Sequence, residues 1–298
     1  MVRLGLCCKF EKEPIKFHVA TALVLSRLAP EQRQDKLAQL CLANAHSLLA
    51  AVEYCGRRGI GCFRINSQVL PLRTHPKYGY RPEDLPGAEE IKKSFLQCGA
   101  RAKKLGVRLT FHPDQFILLS SPDPEITVKS IEELDYQARV SEWVGADVLN
   151  IHAGGAYGDK PAALERVARA LGRLPARVLK RLAFENDDRL YTPADLLPFC
   201  KKHGLPFVYD VHHHRCSPDK LGVAAVTALA LKTWDREPVF HVSSPKYGWK
   251  TGTPRPHHDY IDPADFPACW RALNITVEVE AKAKELAIQK LRADLAAA

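Results

Sequence analysis

The stretch RLAFENDDRLYTPADLLPFCKKHGLPFVYDV, residues 181 to 211, decides the fold. It opens with a short apolar run, RLAFEN (181–186), of the length and content of a buried strand. A helical pattern follows over 193–203, then a second apolar run, PFVYDV (206–211). Strand, helix and strand within about 30 residues predict a βαβ unit with parallel strands. The same alternation runs along the whole chain. Strand candidates are VRLGLC (2–7), GCFRIN (61–66), VRLTFH (107–112), DVLNIHA (147–153), the two runs just quoted, PVFHVSS (238–244) and NITVEVE (274–280). Helical patterns lie between and after them, over 31–57, 87–105, 126–145, 160–173, 193–203, 218–233, 263–272 and 281–296. Eight strands, each followed by a helix, predict an α/β fold closed as a (β/α)8 TIM barrel. Continuous apolar strands fit a parallel sheet covered on both faces. No linker, repeat or low-complexity segment interrupts the pattern, so residues 1–298 are read as a single TIM-barrel domain.

Composition sets the class. Of 298 residues 46% are hydrophobic, 26% charged and 8% aromatic, as in a soluble globular protein. No apolar stretch reaches the ~18 residues of a membrane-spanning helix. The N-terminus, MVRLGLCCKF, is too short and too quickly charged for a secretory signal. Nine scattered cysteines with no C-x-x-C pair read as reduced, buried thiols of a cytoplasmic protein. Lys and Arg total 43 against 34 Asp and Glu, a formal charge of +9, which favours a polyanionic partner.

In a closed barrel the C-terminal ends of the strands form one mouth, where active sites are built. The polar residues of this sequence gather there. The third and fourth strands end in His112 and His152, the fifth in Glu185, and the sixth in Asp210 followed by His212, His213 and His214. The seventh strand carries His241, its loop carries His258, and the eighth strand ends in Glu280. Any one of them has an ordinary alternative, such as a packed histidine or a helix-capping acid; their convergence on one mouth does not. Within VHHHRC the order of turns matters. If the chain turns helically after the strand, Asp210 and His213 share one side; if the strand runs on, His212 shares the parity of Asp210. So many imidazoles and carboxylates exceed the four ligands of one tetrahedral ion, and they suit Mn²⁺, Zn²⁺ or Fe²⁺ better than Mg²⁺. Two or three clustered divalent ions are expected, and their usual work is phosphoester hydrolysis. With the basic charge, the reading is a metal-dependent phosphodiesterase acting on nucleic acid; a barrel sugar isomerase with similar ligands is the rival.

Three long irregular segments, 66–86, 113–125 and 244–262, follow strand ends and are expected to be functional. In the last, Lys246, Lys250 and Arg255 alternate with Tyr247 and Trp249 as a DNA-facing strip. Lys160, after the Gly154-Gly155 turn, is read as a phosphate contact, with a surface lysine as the alternative. Arg64 and Asn66, at the second strand's end, are expected to orient phosphate or a ligand.

In order along the chain, FRINSQVLPLRTHP (63–76), FHPDQF (111–116), IHAGGAYGDK (151–160), LAFENDDRLY (182–191), VYDVHHH (208–214), FHVSSPK (240–246), RPHHDY (255–260) and VEAKAKE (279–285) resemble the UV damage endonuclease family. The resemblance implies a TIM barrel with a metal cluster, typically manganese, at its C-terminal mouth. It implies nicking of damaged double-stranded DNA immediately 5′ to pyrimidine dimers and 6-4 photoproducts, with abasic sites often accepted, leaving a 3′-hydroxyl and a 5′-phosphate. By alignment the ligands are His112, His152, Glu185, Asp210, His213, His241, His258 and Glu280. Glu185, His241 and Lys160 are expected to be the catalytic residues. Gln115 and Phe116 match a pair that family members push into the duplex where the damaged bases swing out. The chain is expected to act as a monomer. Three positions depart from the family. Phe116 stands where Tyr is usual, Gly5-Leu6 where an aromatic follows the glycine, and Val239 where some members have a modified lysine bridging two ions. Action on abasic DNA or a sugar alone, and lesion binding without cleavage, are the alternative readings.

Overall fold

The computed structural model describes residues 2–114 and 116–297. Its eight strands are β1 (Arg3–Cys7), β2 (Cys62–Ile65), β3 (Arg108–Phe111), β4 (Val148–His152), β5 (Leu182–Glu185), β6 (Phe207–Asp210), β7 (Val239–Val242) and β8 (Thr276–Val279). They form a closed barrel in sequence order. All pairs are parallel, and β8 returns to β1 with Leu4 opposite Val277. Every expected strand is present, trimmed by a residue or two at its ends.

The helices are α1 (Ala22–Ser26), α2 (Pro30–Arg58), α3 (Ala88–Leu105), α4 (Pro124–Val144), α5 (Lys160–Leu171), α6 (Ala176–Leu179), α7 (Pro193–His203), α8 (Val211–Cys216), α9 (Val223–Leu231) and α10 (Lys284–Ala297). The expected helix over 263–272 is instead two 3-10 turns, Pro263–Asp265 and Ala268–Trp270. Pro263 opens the first turn and Pro267, between the two, caps the second; a proline inside one longer helix would lack its N–H and crowd the preceding turn. Helix α7 shows how the decisive stretch folds locally. Pro193 takes the first position, the Asp195 carboxylate accepts the Thr192 N–H at 2.9 Å, and Gly204 ends the helix at φ 63°. Only a residue without Cβ adopts that left-handed turn cheaply.

Strand side chains alternate. One set, including Leu6, Phe63, Phe111, Leu149, Phe184, Phe240 and Val277, is buried in the main hydrophobic core. The other set faces the barrel axis and differs by depth. At the N-terminal end Arg3 and Arg108 pair with Glu237 and Asp147. Above them Val148, Ala183, Val208 and Val239 form a small apolar cluster. At the C-terminal end the same parity gives His152, Glu185, Asp210 and His241. Among the described residues no helix is long and apolar enough to cross a membrane, and all nine cysteines are free.

Candidate metal centre at the barrel mouth

Glu185 is the hub. It is 1% exposed. Its Oε2 lies 2.9 Å from His112 Nε2 and accepts from Asn150 Nδ2 at 2.5 Å, while Oε1 stands 3.2 Å from His241 Nδ1 and 3.3 Å from His213 Nδ1. Three overlapping donor groups result: His112, His152 and Glu185; Glu185, Asp210 and His213; Asp210, His241 and Glu280. Within each group the candidate ligand atoms lie within 4.8 Å of one another. Glu185 and Asp210 each belong to two groups, as carboxylates shared between neighbouring ions would.

The side chains fit cations by their own hydrogen-bond accounts. His112 Nδ1 faces the Pro113 carbonyl at 3.0 Å and donates to it, leaving a lone pair on Nε2. Two acceptors then face each other across 2.9 Å, so a proton or a cation stands between His112 and Glu185. Asp210 is fully buried; Oδ1 caps α8 by accepting the His213 N–H at 2.7 Å, and Oδ2 has no hydrogen-bond partner among the described residues. A buried carboxylate oxygen without a donor is costly unless a cation meets it. His152 Nδ1 is likewise buried and unpartnered.

In the metal-free protein protons balance this charge. Burial by itself raises Glu185, yet the rings of His241 and His152, with the hydrogen bonds of His112 and His213, hold it well below the usual carboxylate range. Burial lowers His213, but Asp210 and Glu185 overcome it and push the ring up to about 10. His241 is likewise opposed by burial and raised by Glu185 and its neighbours. His152 is lowered, mainly by burial. Divalent ions would replace those protons.

The three histidines of VHHHRC go three ways because α8 begins at Val211. His213 turns to Glu185 and Asp210. His212 is buried on another side, Nε2 3.3 Å from the Arg255 carbonyl, its ring against Trp249 and His257. His214 joins Tyr209 Oη at 2.7 Å and Asp219 at 3.1 Å in the wall.

One expected ligand is displaced. His258 is exposed, and its Nδ1 accepts the Tyr260 N–H at 3.0 Å. His257 faces the cluster instead, with Nδ1 3.7 Å from Glu280 Oε2 and its ring beside that of His213. An isolated antiparallel bridge between Pro245 and His257 fixes this rotation. Adjacent histidines in a loop carry no periodicity, so the sequence had no means of choosing between them. Asn150, Arg64 and Glu278 also reach the centre. Arg64 NH1 is held between Glu278 at 3.1 Å and Glu280 at 2.5 Å rather than free for phosphate. Asn66 turns its Oδ1 to the Gln68 N–H. The alternation in TVEVE and the N-x-H of strand four were the available signals for Glu278 and Asn150.

Lys160 opens α5 with Nζ 2.9 Å from Asp195 Oδ2, over the Tyr191 ring. It is therefore an ion-paired lysine rather than an unengaged one at the mouth. Lys246, Tyr247 and Lys250 are exposed, whereas Arg255 pairs with Asp188 at 3.3 Å. Phe116 is 74% exposed; Gln115 lies outside the described residues. Val239 packs in the apolar layer beneath His241.

A parallel eight-stranded barrel with its polar groups gathered at the strands' C-terminal ends is a TIM-barrel protein with an enzyme's layout. The UV-endonuclease UvdE family model matches residues 2–298. A UV DNA damage endonuclease of Bacillus velezensis is 33% identical over 97% of this chain and 91% of its own length. One from Bacillus pumilus is 33% identical over 91% of this chain and 86% of its own. The solved structure of SacUVDE matches all of this chain and 99% of its own at a TM-score of 0.88 and 25% identity. Endonuclease IV from Thermus thermophilus shares the fold, with a TM-score of 0.63 at 16% identity. The chain belongs to the UV-endonuclease UvdE family, a family of DNA repair endonucleases.

Proposed function

We propose that this protein is a metal-dependent endonuclease that nicks damaged double-stranded DNA immediately 5′ to UV photoproducts, leaving a 3′-hydroxyl and a 5′-phosphate. Abasic sites are a second class of substrate. The observation that carries the metal dependence is the fully buried Asp210 Oδ2, without a hydrogen-bond donor among the described residues, inside overlapping sets of imidazole and carboxylate groups. His112, His152, Glu185, Asp210, His213, His241, His257 and Glu280 would hold two or three divalent ions, with Mn²⁺ suited to this mixed nitrogen and oxygen donor set. When bound, such ions supply an activated water and charge neutralisation of the phosphate and the leaving oxygen.

The chain's own residues do the rest. Glu185, shared between two donor groups, fixes their spacing, and Asn150 and His112 hold its carboxylate in place. Lys246 and Lys250 attract the DNA backbone, and Tyr247 offers an exposed ring beside them. Phe116, with Gln115, enters the base stack at the lesion, where distortion has already lowered the unstacking cost. The family relationship supports the reaction; the site supports the ions. The test is incision of irradiated against unirradiated supercoiled plasmid, with end mapping of the nick. Nicks confined to irradiated DNA, lost in chelator and restored by Mn²⁺, are expected. Full activity in chelator would remove the metal centre from the mechanism, and equal nicking of both plasmids would remove the lesion specificity.

A further inference from the structure

Beneath the proposed ligands lies a carboxylate to which the reaction assigns no task. Glu278 is 1% exposed, two residues before Glu280 on the inward face of β8, and it stands opposite His241 in the β7–β8 register. Oε1 accepts from Thr110 Oγ1 at 2.5 Å. Oε2 accepts from Arg64 NH1 at 3.1 Å and lies 3.1 Å from His241 Nε2. Gly5 on the adjoining strand leaves it room, since a Cβ there would stand 3.4 Å from Glu278 Cγ and 3.1 Å from Cys62 Cβ.

We propose that Glu278 is a positioning residue of the metal centre: it holds His241 from Nε2, so that Nδ1 is presented to Glu185, Asp210 and Glu280. The proposal rests on the metal reading given under the proposed function. His241 is fully buried, and its ring nitrogens face opposite groups. Nδ1 lies 3.2 Å from Glu185, 3.5 Å from Glu280 and 3.9 Å from Asp210. Among the described residues Nε2 has only the Glu278 carboxylate at hand, approached off the N–H axis, with no aligned acceptor elsewhere. An imidazole offers a lone pair from one nitrogen only when the other keeps the proton, and a carboxylate on the far side is what keeps it there. Glu278 is not itself a ligand on this arrangement. Both its oxygens are committed, and the Arg64 guanidinium lies between it and Glu280, excluding a second cation from the same place. Its negative charge is thus spent on Arg64 and His241 while the carboxylates above remain turned to one another.

The test uses the full chain and two variants. Glu278→Leu removes the acceptor at similar volume; Glu278→Gln keeps an oxygen toward His241 and lets its amide donate to Thr110. Mn²⁺ affinity is measured by isothermal titration calorimetry, folding by the metal-free thermal melt, and the His241 N–H by ¹⁵N-histidine NMR of the metal-free protein. Loss of an outer partner of a metal-bound histidine weakens metal binding by about 10- to 100-fold, which is the expectation for Glu278→Leu, with Glu278→Gln near wild type. The Nε2–H resonance should be protected and downfield in wild type, move upfield in Glu278→Gln, and exchange freely in Glu278→Leu. A purely structural glutamate would alter the melt and leave that signal in place. A folded Glu278→Leu that binds Mn²⁺ like wild type, or an Nε2–H signal indifferent to Glu278→Gln, overturns the proposal. If Glu278→Leu does not fold, the Gln comparison decides. Wild-type protein that binds no Mn²⁺ overturns the metal centre itself, and the N–H signal still decides whether Glu278 holds His241.

Discussion

His257 and His258 are chain neighbours with opposite surroundings. One faces Glu280 and His213; the other is exposed and tied to the backbone of its own turn. The consequence is a paired test. His257→Ala should reduce Mn²⁺ affinity and incision of irradiated plasmid by about 10-fold or more, while His258→Ala should leave both nearly unchanged. The reverse result would restore His258 as the ligand. Of the other proposed ligands, His112, His152, Glu185, Asp210, His241 and Glu280 were legible because they stand at or beside strand ends, where parity and the barrel together fix direction, whereas His213 depended on the helical turn of α8. His257 was not, because a loop residue's direction depends on which backbone groups pair across the loop, here Pro245 with His257.

At the scale of elements, the turns and loops at the strands' C-terminal ends build the mouth. The six-residue α8 separates the histidines after Asp210 into a cluster member and two wall residues. The loop after β3 leaves Phe116 with 74% of its surface exposed, so little packing rests on its ring. Phe116→Ala should therefore leave the melting temperature unchanged. Base–aromatic stacking contributes about 1–3 kcal/mol, so affinity for a dimer-containing duplex should fall roughly 10- to 100-fold in a fluorescence titration. A lower melt with normal lesion selectivity would show a packing residue instead. Elsewhere the elements are held by close packing. Gly99 of α3 abuts the end of α4, where a Cβ would come within 2.7 Å of the Val144 carbonyl carbon and oxygen. Backbone cannot yield as a flexible side chain does, so Gly99→Ala should destabilise by about 1–3 kcal/mol in denaturant melts. Metal affinity of the folded fraction should not change.

Across the whole molecule, the formal charge of +9 and the exposed Lys246 and Lys250 carry the proposed approach to DNA. Replacing both lysines by Gln should weaken damaged and undamaged duplex alike and reduce the salt slope by about one or two phosphate contacts; an unaltered slope would move the DNA path elsewhere. The opposite end of the barrel is a stability device. Glu237 receives Arg3 Nε at 2.9 Å and Thr276 Oγ1 at 2.5 Å, with Arg108 NH1 at 3.9 Å. Burial by itself raises this carboxyl, but the Arg3 and Thr276 hydrogen bonds and the nearby arginines lower it below its ordinary 4.5. A depressed carboxylate adds stability above its unfolded value, and that stability is lost as pH falls through the lower folded value. Glu237→Gln should thus cost about 1–3 kcal/mol at neutral pH, and the two melting curves should converge below pH 4.5 as the wild-type carboxyl protonates. A constant gap at all pH values would show a packing defect instead.

The sequence by itself determined the barrel and most of the proposed ligands. Short apolar runs alternating with helical patterns admit few closed arrangements, and period-two parity then turns each strand-end His, Asp or Glu inward. It did not determine that two 3-10 turns, one opened by Pro263 and one capped by Pro267, stand where a helix is expected at 263–272, nor the choice of His257. It also left Glu278 unremarked as one more acid of TVEVE. Only the tertiary structure set that carboxylate of β8 between Arg64, Thr110 and His241, because those partners come from three other strands and meet it only when the barrel closes.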